Sequence, residues 1–501
     1  MRPDLSGSIT RATIRSPLTP LFLLTALAVG LIALMTIPRE EEPQISVPMV
    51  DMIISAPGLR AADVVEQVTE PLEEIIKAIP DVEHVYSQSR DDGALVTARF
   101  DVGTDADDAI LRVHEKIRAN LDRIPTGVPM PLVIGRGIND VPIVTLTLSP
   151  EPWTGDVWND TSLRMLAEEL QKELIKVDDV GLTSVVGGRA LEMRVEPDIH
   201  ALAAYGVPLQ TLVETVSQAA NVNPVGIARR DGESLLVQAG DRVNALSELE
   251  RLELRGADGR TVYLSDVATI RVTGAETESR VWTLDRDEEA GGFRAAPAVT
   301  VALAKRPGAN AVKVAEAILA RAEHLEGDLV PEGVHLEVTR NYGETANHKA
   351  NELLYHLGLA TVSIVILIAF AIGWREALVT LIVIPTTILL TLFASLMMGY
   401  TINRVSLFAL IFSIGILVDD AIVMIENIAR HWAMNDGRTK VEAAINAVSE
   451  VGNPTVIATL TVIAALLPMM FVSGLMGPYM APIPANASAA MLFSFFVAVG
   501  I

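Results

Sequence analysis

The sequence predicts an α+β membrane protein in which a bundle of transmembrane helices carries a large exterior domain. Three observations support this fold class. Five apolar runs of about 18 to 22 residues match the roughly 20 residues that a helix needs to cross a bilayer core. A segment of about 315 residues between the first two runs alternates short strands with amphipathic helices. One run also carries two adjacent aspartates, Asp419 and Asp420.

The apolar runs give the predicted membrane spans in chain order. They are residues 18–37, 353–373, 377–398, 405–425 and 455–472, and a sixth begins near Asn486 and is cut short at Ile501. The truncated sixth span indicates a fragment or one half of a longer polypeptide. The first span is too long for a signal peptide and lacks a clear cleavage site, so we expect an uncleaved anchor.

Basic residues in the short connections set the orientation of these spans. They precede the first span or lie between spans two and three and between spans four and five: Arg2, Arg11, Arg15, Arg375, Arg430, Arg438 and Lys440. Because short cytoplasmic segments are enriched in Lys and Arg, these ends are predicted to face the cytoplasm. The long segment, residues 38–352, is therefore predicted to lie on the opposite side of the membrane.

The exterior segment carries the charge imbalance of the chain. The eight basic and eight acidic residues outside it balance, so the formal net charge of −23 lies within it. A strongly acidic surface disfavours nucleic acid and anionic surfaces as partners. It is compatible with attraction of cationic amphiphiles, or simply with solubility and repulsion from lipid headgroups. The absence of cysteine excludes disulfides and thiolate metal sites.

The order of elements in the exterior segment predicts two related units. The first has a strand at 45–55, a helix at 61–78, a hairpin of 82–89 and 95–102, and a helix at 105–121. The second has a strand at 144–148, a helix at 163–175 and a hairpin of 182–186 and 191–195 around Gly187 and Gly188, completed by a strand at 298–304, a helix at 309–323 and a strand at 334–339. Such units resemble the split βαβ, ferredoxin-like motif.

Two further features concern the organisation of this segment. The stretch IPDV at 79–82 is echoed by VDDV at 177–180, which supports an internal repeat. Residues 197–273, roughly, interrupt the second unit and are predicted to form an inserted subdomain. Its glycine-rich turns are predicted at Gly226, Gly232 and Gly240.

Asp419 and Asp420 lie in the middle of the fourth apolar run. An ionised carboxylate at the bilayer centre costs roughly 2.5 to 3.5 kcal/mol even on lenient insertion scales, so two side by side indicate a function. The default hypothesis is ion or proton coupling. The alternative is that the helix ends early and the aspartates cap a loop at the headgroups. The five apolar residues that follow Asp420 argue against an early end.

Helical spacing divides the polar residues of this run between two stripes. Gly415, Asp419 and Glu426 share one stripe, while Ser413, Asp420 and Asn427 share the next. Gly415 is predicted to let a neighbouring helix approach closely.

The sequence contains no signature of an enzyme. GxxxxGKS/T, HExxH and GxSxG are all absent, and the histidines are scattered singly. The exterior methionines are not clustered as a thioether site for copper or silver requires. We therefore expect no catalytic activity, no cofactor and no metal site. Active transport would draw on an ion gradient, which supplies about 2.3 kcal/mol per charge per 100 mV.

Several motifs together resemble the N-terminal half of a resistance-nodulation-division (RND) efflux transporter. The most specific is GILVDDAIVMIEN at 415–427. Supporting stretches are PREEEPQISVP at 38–48, GTDADDA at 103–109, KRPGANAV at 305–312 and PEGVHLEVTRNYG at 331–343. The resemblance covers essentially the whole chain.

This resemblance implies a homotrimeric exporter in the inner membrane of Gram-negative bacteria, working with a periplasmic adaptor protein and an outer-membrane channel. Asp419 and Asp420 take the proton-relay role, with the proton gradient as energy source. The paired aspartates favour the hydrophobe and amphiphile (multidrug, acriflavin-resistance-like) branch. The implied partners are small hydrophobic or amphipathic substrates, membrane lipids and a missing C-terminal half. That half supplies a lysine to the family's relay, so these 501 residues are not expected to pump alone.

The same resemblance divides the chain into regions. Residues 1–37 would be the cytoplasmic N-terminus and first span, 38–135 a first porter subdomain, 136–196 with 274–340 a second porter subdomain, 197–273 a docking insertion, and 353–501 spans two to six. Two other functions stay open at this point. One is heavy-metal cation efflux by a pump of the same fold, and the other is a non-pumping membrane module that assists protein export or senses lipid.

Overall fold

A computed structural model of the chain describes most of the sequence. The described residues are 5–43, 45, 47–137, 140–154, 157–220, 223–230, 233–239, 245–256, 259–276, 279–287, 292–434, 437–474 and 476–500. Within them, six helices are long and apolar enough to cross a membrane. The chain is therefore a multi-pass membrane protein, as the apolar runs predict.

The chain starts with two helices and then forms the first sheet unit. The helices are α1 (Leu5–Thr13) and α2 (Leu18–Thr36), and the unit contains β1 (Met49–Ser55), α3 (Ala61–Val64), α4 (Glu70–Lys77), β2 (Val82–Arg90), β3 (Gly93–Phe100), α5 (Ala106–Ala119) and β4 (Leu132–Arg136). Its antiparallel sheet has the order β2-β3-β1-β4. A π-helical turn at Val65–Thr69 joins α3 to α4 within the predicted helix. One face of the sheet buries Met52, Val96 and Phe100 against the helices.

The second unit begins like the first and is then interrupted. It starts with β5 (Val144–Pro150), α6 (Asp160–Leu174) and β6 (Val180–Gly187). The interruption contains β7 (Leu191–Pro197), α7 (Ile199–Tyr205), α8 (Leu209–Ala219), β8 (Asn223–Arg230), β9 (Glu233–Ala239), α9 (Leu246–Glu250), β10 (Glu253–Arg255), β11 (Thr261–Tyr263), α10 (Leu264–Val267) and β12 (Ala268–Gly274). A separate small core that includes Leu202, Leu254 and Leu264 lies between α7, β10, α10 and their neighbours.

Two details of this region correct the sequence analysis. The predicted hairpin around Gly187 and Gly188 does not form, because β7 pairs with β12 while β6 pairs elsewhere. Both glycines have positive φ, and together they turn the chain out of the second sheet. Gly226 lies within strand β8, next to an irregularity in its pairing with β9, rather than in a turn. Gly232 and Gly240 lie outside the described residues.

The second unit resumes after the interruption and closes its sheet. Its remaining elements are β13 (Val281–Asp287), β14 (Gly292–Lys305), α11 (Ala311–Leu325) and β15 (Val334–Asn341). The C-terminal part of β14 lies between β6 and β5, and β15 pairs with the other edge of β5. The order β6-β14-β5-β15 therefore repeats the β2-β3-β1-β4 order of the first unit.

The IPDV and VDDV stretches have the same backbone conformation, which supports the internal repeat. Asp81 and Asp179 each have positive φ, at 67° and 62°. The carbonyl of Asp81 accepts a hydrogen bond from the amide of Asp101, and that of Asp179 accepts one from the amide of Arg306. Aspartate tolerates this left-handed conformation better than most residues with a side chain. Each aspartate thus marks the same turn before the second strand of its unit.

The five membrane helices that the structure describes after the second unit are longer than the apolar runs that predict them. After the second unit come α12 (Tyr342–Ala371), α13 (Trp374–Met397), α14 (Arg404–Ala433), α15 (Lys440–Leu466), α16 (Met476–Met480) and α17 (Pro482–Gly500). The sixth span starts earlier than the predicted Asn486. The chain just before Asn486 is also helical, since it contains α16 and the first turn of α17.

Gly30 marks a close contact between the first membrane span and helix α13. A Cβ atom at Gly30 would overlap the side chain of Leu389 on α13 and approach its carbonyl carbon to 2.7 Å. We expect Gly30→Val to destabilise the protein by about 1–3 kcal/mol, because overpacking would force α2 away from α13. Gly358→Val on α12 is the matched control, since no neighbouring atom lies within 4 Å of an added Cβ there.

Thermal denaturation of the detergent-solubilised protein, followed by size-exclusion chromatography, checks this expectation. Gly30→Val should lower the midpoint and Gly358→Val should leave it nearly unchanged. Equal midpoints for the two variants would contradict the proposed packing role.

The membrane carboxylate site

Helix α14 holds the paired aspartates within the membrane bundle. Its first turn is fixed by a capping box, in which Asn403 Oδ1 accepts from the amides of Val405 and Ser406, and Ser406 Oγ accepts from the amide of Asn403. The helix then continues without interruption to Ala433. The aspartates therefore lie near the middle of a continuous helix, and the alternative of an early helix end is wrong.

Asp420 points into the bundle formed by the chain. It is half-buried and accepts a hydrogen bond from Ser494 on α17, and Thr459 on α15 lies nearby. Ser494 is fully buried. The Thr459 hydroxyl itself has no hydrogen-bond partner within normal geometric limits among the described residues. Side chains from three helices, α14, α15 and α17, thus come together at this carboxylate.

Asp419 points away from the described helices. Gly415, Asp419 and Glu426 are all exposed, whereas Ser413 and Asn427 are buried on the side of Asp420. The two stripes predicted from helical spacing therefore lie on different sides of α14. No described helix approaches Gly415 closely, and an added Cβ there would meet open space. The close helix contact expected at Gly415 is not made within the described residues.

The buried stripe of α14 continues past Asp420 to the predicted cytoplasmic end of the helix. Asn427 donates a 2.7 Å hydrogen bond to the carbonyl of Ala447 on α15. One turn further, Nε2 of the buried His431 lies 2.7 Å from Oε2 of Glu450. Arg430 donates hydrogen bonds to both oxygens of the same carboxylate. This cluster could not be predicted from the sequence, because His431 and Glu450 come from different helices and neither belongs to a motif.

Helix α17 carries a second buried polar residue in addition to Ser494. Asn486 lies about two turns before Ser494 on the same face of that helix, and it is fully buried. Neither polar atom of its amide has a hydrogen-bond partner among the described residues. Asn486 and Ser494 thus form a buried polar track along α17, in surroundings where polar groups are costly.

An apolar surface lies on the exterior region. Trp282 and Leu284 on β13 and Phe293 on β14 are exposed side chains on one face of these paired strands. Large exposed apolar groups in a cluster indicate a binding surface more often than isolated ones do. The sequence analysis did not single them out, because exposure depends on the folded sheet.

The structure combines a half-buried carboxylate among membrane helices with two sheet units of the same strand order. Together these features are those of a multi-pass membrane protein of the transporter class. The chain belongs to the AcrB/AcrD/AcrF family, whose sequence profile matches residues 9–501. This result confirms the resemblance to RND efflux transporters.

Several curated relatives align with nearly the whole chain. It is 29% identical over 491 residues to a multidrug resistance protein MdtC of Pantoea ananatis, with 97% of this chain and 46% of the relative covered. Proteins of the same name from Escherichia coli O81 and Serratia proteamaculans are each 28% identical, with 93% and 92% of this chain and 44% of each relative covered. The chain thus spans about half the length of the curated relatives it matches.

Proposed function

We propose that this chain is the N-terminal half of a proton-driven exporter of hydrophobic or amphipathic compounds, acting by proton/substrate antiport. The observation that carries the proposal is the pair Asp419 and Asp420 in the middle of α14. A carboxylate held between membrane helices can take up a proton from one side and release it to the other. The cost of keeping it in the membrane is offset if its protonation drives a conformational change.

A C-terminal half is the partner that the exposed stripe of α14 requires. Asp419 and Glu426 face away from the described helices, and lipid tails are an unfavourable environment for both carboxylates. A second helical bundle packed on this stripe would remove them from lipid, and a lysine from it would pair with the aspartates. Gly415 leaves space for such a helix to approach. The length of the MdtC relatives supports this arrangement.

We further propose that the two sheet units are ferredoxin-like porter subdomains, formed by residues 38–135 and by 136–196 with 274–340. Their shared strand order and the shared turn at Asp81 and Asp179 support this division. Residues 197–273 would form the docking subdomain. The exposed Trp282, Leu284 and Phe293 are candidates for contact with apolar substrates.

The working assembly would be a homotrimer in the inner membrane of a Gram-negative bacterium. An adaptor protein in the periplasm and an outer-membrane channel would complete the export path. Both proposals rest on family membership. Multidrug resistance in the names of the MdtC relatives supports drug-like substrates rather than metal cations.

The experiment uses the full-length protein in liposomes that report both ethidium and proton movement. With an imposed pH gradient, we expect ethidium transport coupled to a counterflow of protons detected by pyranine. Nigericin, which collapses the pH gradient, should stop both. Ethidium transport that survives nigericin would contradict proton coupling, and a deletion strain sensitive to metal cations but not to dyes would favour metal efflux instead.

A further inference from the structure

A buried ion pair joins the exterior region to the membrane bundle. Lys305 is the last residue of β14, and Glu40 lies four residues after the end of α2. The ammonium Nζ of Lys305 lies 2.6 Å from Glu40 Oε1, and the two side chains are only 8% and 5% exposed. At this distance the ammonium and the carboxylate form a close ion pair. Burying two charges costs free energy, so the pair needs a reason beyond stability.

The fold of the sheet unit does not require a charge at this position. Lys305 lies opposite Val180 in the second unit, and Phe100 lies opposite Val82 at the equivalent place in the first unit. Phe100 is fully buried in an apolar core. The same strand order is therefore built with an aromatic side chain in one unit and a buried lysine in the other. The lysine must serve something specific to the second unit.

Glu40 connects Lys305 to the segment that leads into α14. Its Oε2 accepts a hydrogen bond of 3.2 Å from the hydroxyl of Thr401, which is itself buried. The backbone amide of Glu40 donates to the carbonyl of Ile402 at 2.9 Å, and the amide of Ile402 donates to the carbonyl of Pro38 at 2.9 Å. The segment after α2 and the segment before α14 thus form one paired unit.

The N-terminus of α14 is fixed to this paired segment. Asn403, which caps α14, donates through Nδ2 to the carbonyl of Thr401 at 3.2 Å and to its hydroxyl at 3.0 Å. Ser406 in the first turn donates to the same carbonyl at 2.9 Å. A displacement of α14 along its axis would therefore move Thr401 and Glu40 with it, and the ion pair would pass the movement to Lys305.

We propose that the Glu40–Lys305 pair is a positioning contact that transmits movement of the aspartate-bearing helix α14 to strand β14 of the second sheet unit. The contact is short and buried, and it is the last step of a continuous chain of contacts from α14 to β14. This inference rests on the proposed function, because it assigns the pair a part in coupling proton uptake to export. Without the pair, protonation of the membrane carboxylates would no longer change the conformation of the exterior region.

The test replaces both charges with apolar side chains of similar size in the full-length protein, as Glu40→Leu with Lys305→Met. Apolar replacement of a buried ion pair is often neutral or stabilising, so the double variant should assemble and keep its thermal midpoint. In liposomes loaded with ethidium and pyranine, we expect ethidium exported per proton to fall at least about tenfold, as coupling between contacting groups allows. Lys305→Arg keeps the cation and should retain most of the wild-type ratio.

Glu42→Gln is the matched control for the same junction. It removes the exposed ion pair between Glu42 and Arg404, and exposed pairs contribute little. Its export ratio should therefore equal that of the wild type. Asp420→Asn serves as the second control, because it should stop proton uptake and export together.

Two results would overturn the inference. One is a double variant that exports with the wild-type ratio while Asp420→Asn is inactive, because the ion pair would then be unnecessary for coupling. The other is a double variant that fails to assemble, because the pair would then hold the fold rather than transmit movement. If Asp420→Asn itself exports normally, the proposed function fails and the positioning inference fails with it, so the two failures are distinguishable.

Discussion

Asparagine in place of Asp420 is expected to reduce proton-coupled ethidium transport by the full-length protein to the level of empty liposomes. The change preserves the size of the side chain and leaves an acceptor for the hydroxyl of Ser494, so the packing of α14 against α17 should survive. What is lost is the ability to bind and release a proton. Asp419→Asn is expected to have the same effect through the exposed stripe of α14.

The control for these variants is the same chemical change at another membrane helix. Glu376→Gln replaces a carboxylate in the first turn of α13, away from the aspartate pair, and should leave transport unchanged. Thermal midpoints of all three variants check that folding is intact. Wild-type transport in both aspartate variants would rule out the relay role and with it the proposed mechanism.

The membrane helices could be found from sequence because the bilayer imposes a length on apolar runs. Their ends could not be found in the same way. Helix α12 begins at Tyr342, eleven residues before the apolar run at Leu353, because Asn341 caps it among polar residues outside the membrane. Hydropathy indicates where the chain meets lipid, whereas caps and hydrogen bonds decide where a helix begins.

The pairing of distant strands also could not be predicted from the sequence. The Gly187–Gly188 step has the composition of a hairpin turn, yet β6 pairs with β14 more than a hundred residues later. The repeat, by contrast, was visible in the order of elements and in the aspartate turns. Local composition identifies the units, but non-local contacts decide which strands meet.

The candidate functional residues also differ in whether they could be recognised from the sequence. Asp419 and Asp420 could be recognised because each carboxylate is costly in an apolar run. Glu40 and Lys305 were visible only as parts of PREEEPQISVP and KRPGANAV, since a contact across 265 positions leaves no pattern in either stretch. Alignment of the two sheet units could have indicated Lys305, because it stands where the first unit has Phe100.

Phe100→Ala is expected to be the most destabilising single change in the first sheet unit. Phe100 is fully buried beside Val96 and Met52, and truncation of a buried aromatic ring costs about 3–5 kcal/mol. Hydrogen–deuterium exchange of the amides in β1 and β3 measures the effect, because it reports the stability of this unit within the whole protein. Phe293→Ala is the matched control, since that ring is 77% exposed and its removal should cost less than about 0.5 kcal/mol.

The same exchange measurement tests whether the two sheet units have separate cores. If Phe100→Ala accelerates exchange in β1 and β3 but leaves β5 and β14 unchanged, each sheet unit has its own core, as the separate clusters around Val96 and Leu146 indicate. The buried lysine at the equivalent position of the second unit is then free to serve the contact with Glu40. Unchanged exchange in β1 and β3 would mean that Phe100 does not hold its core together, and the argument from equivalence would lose its basis.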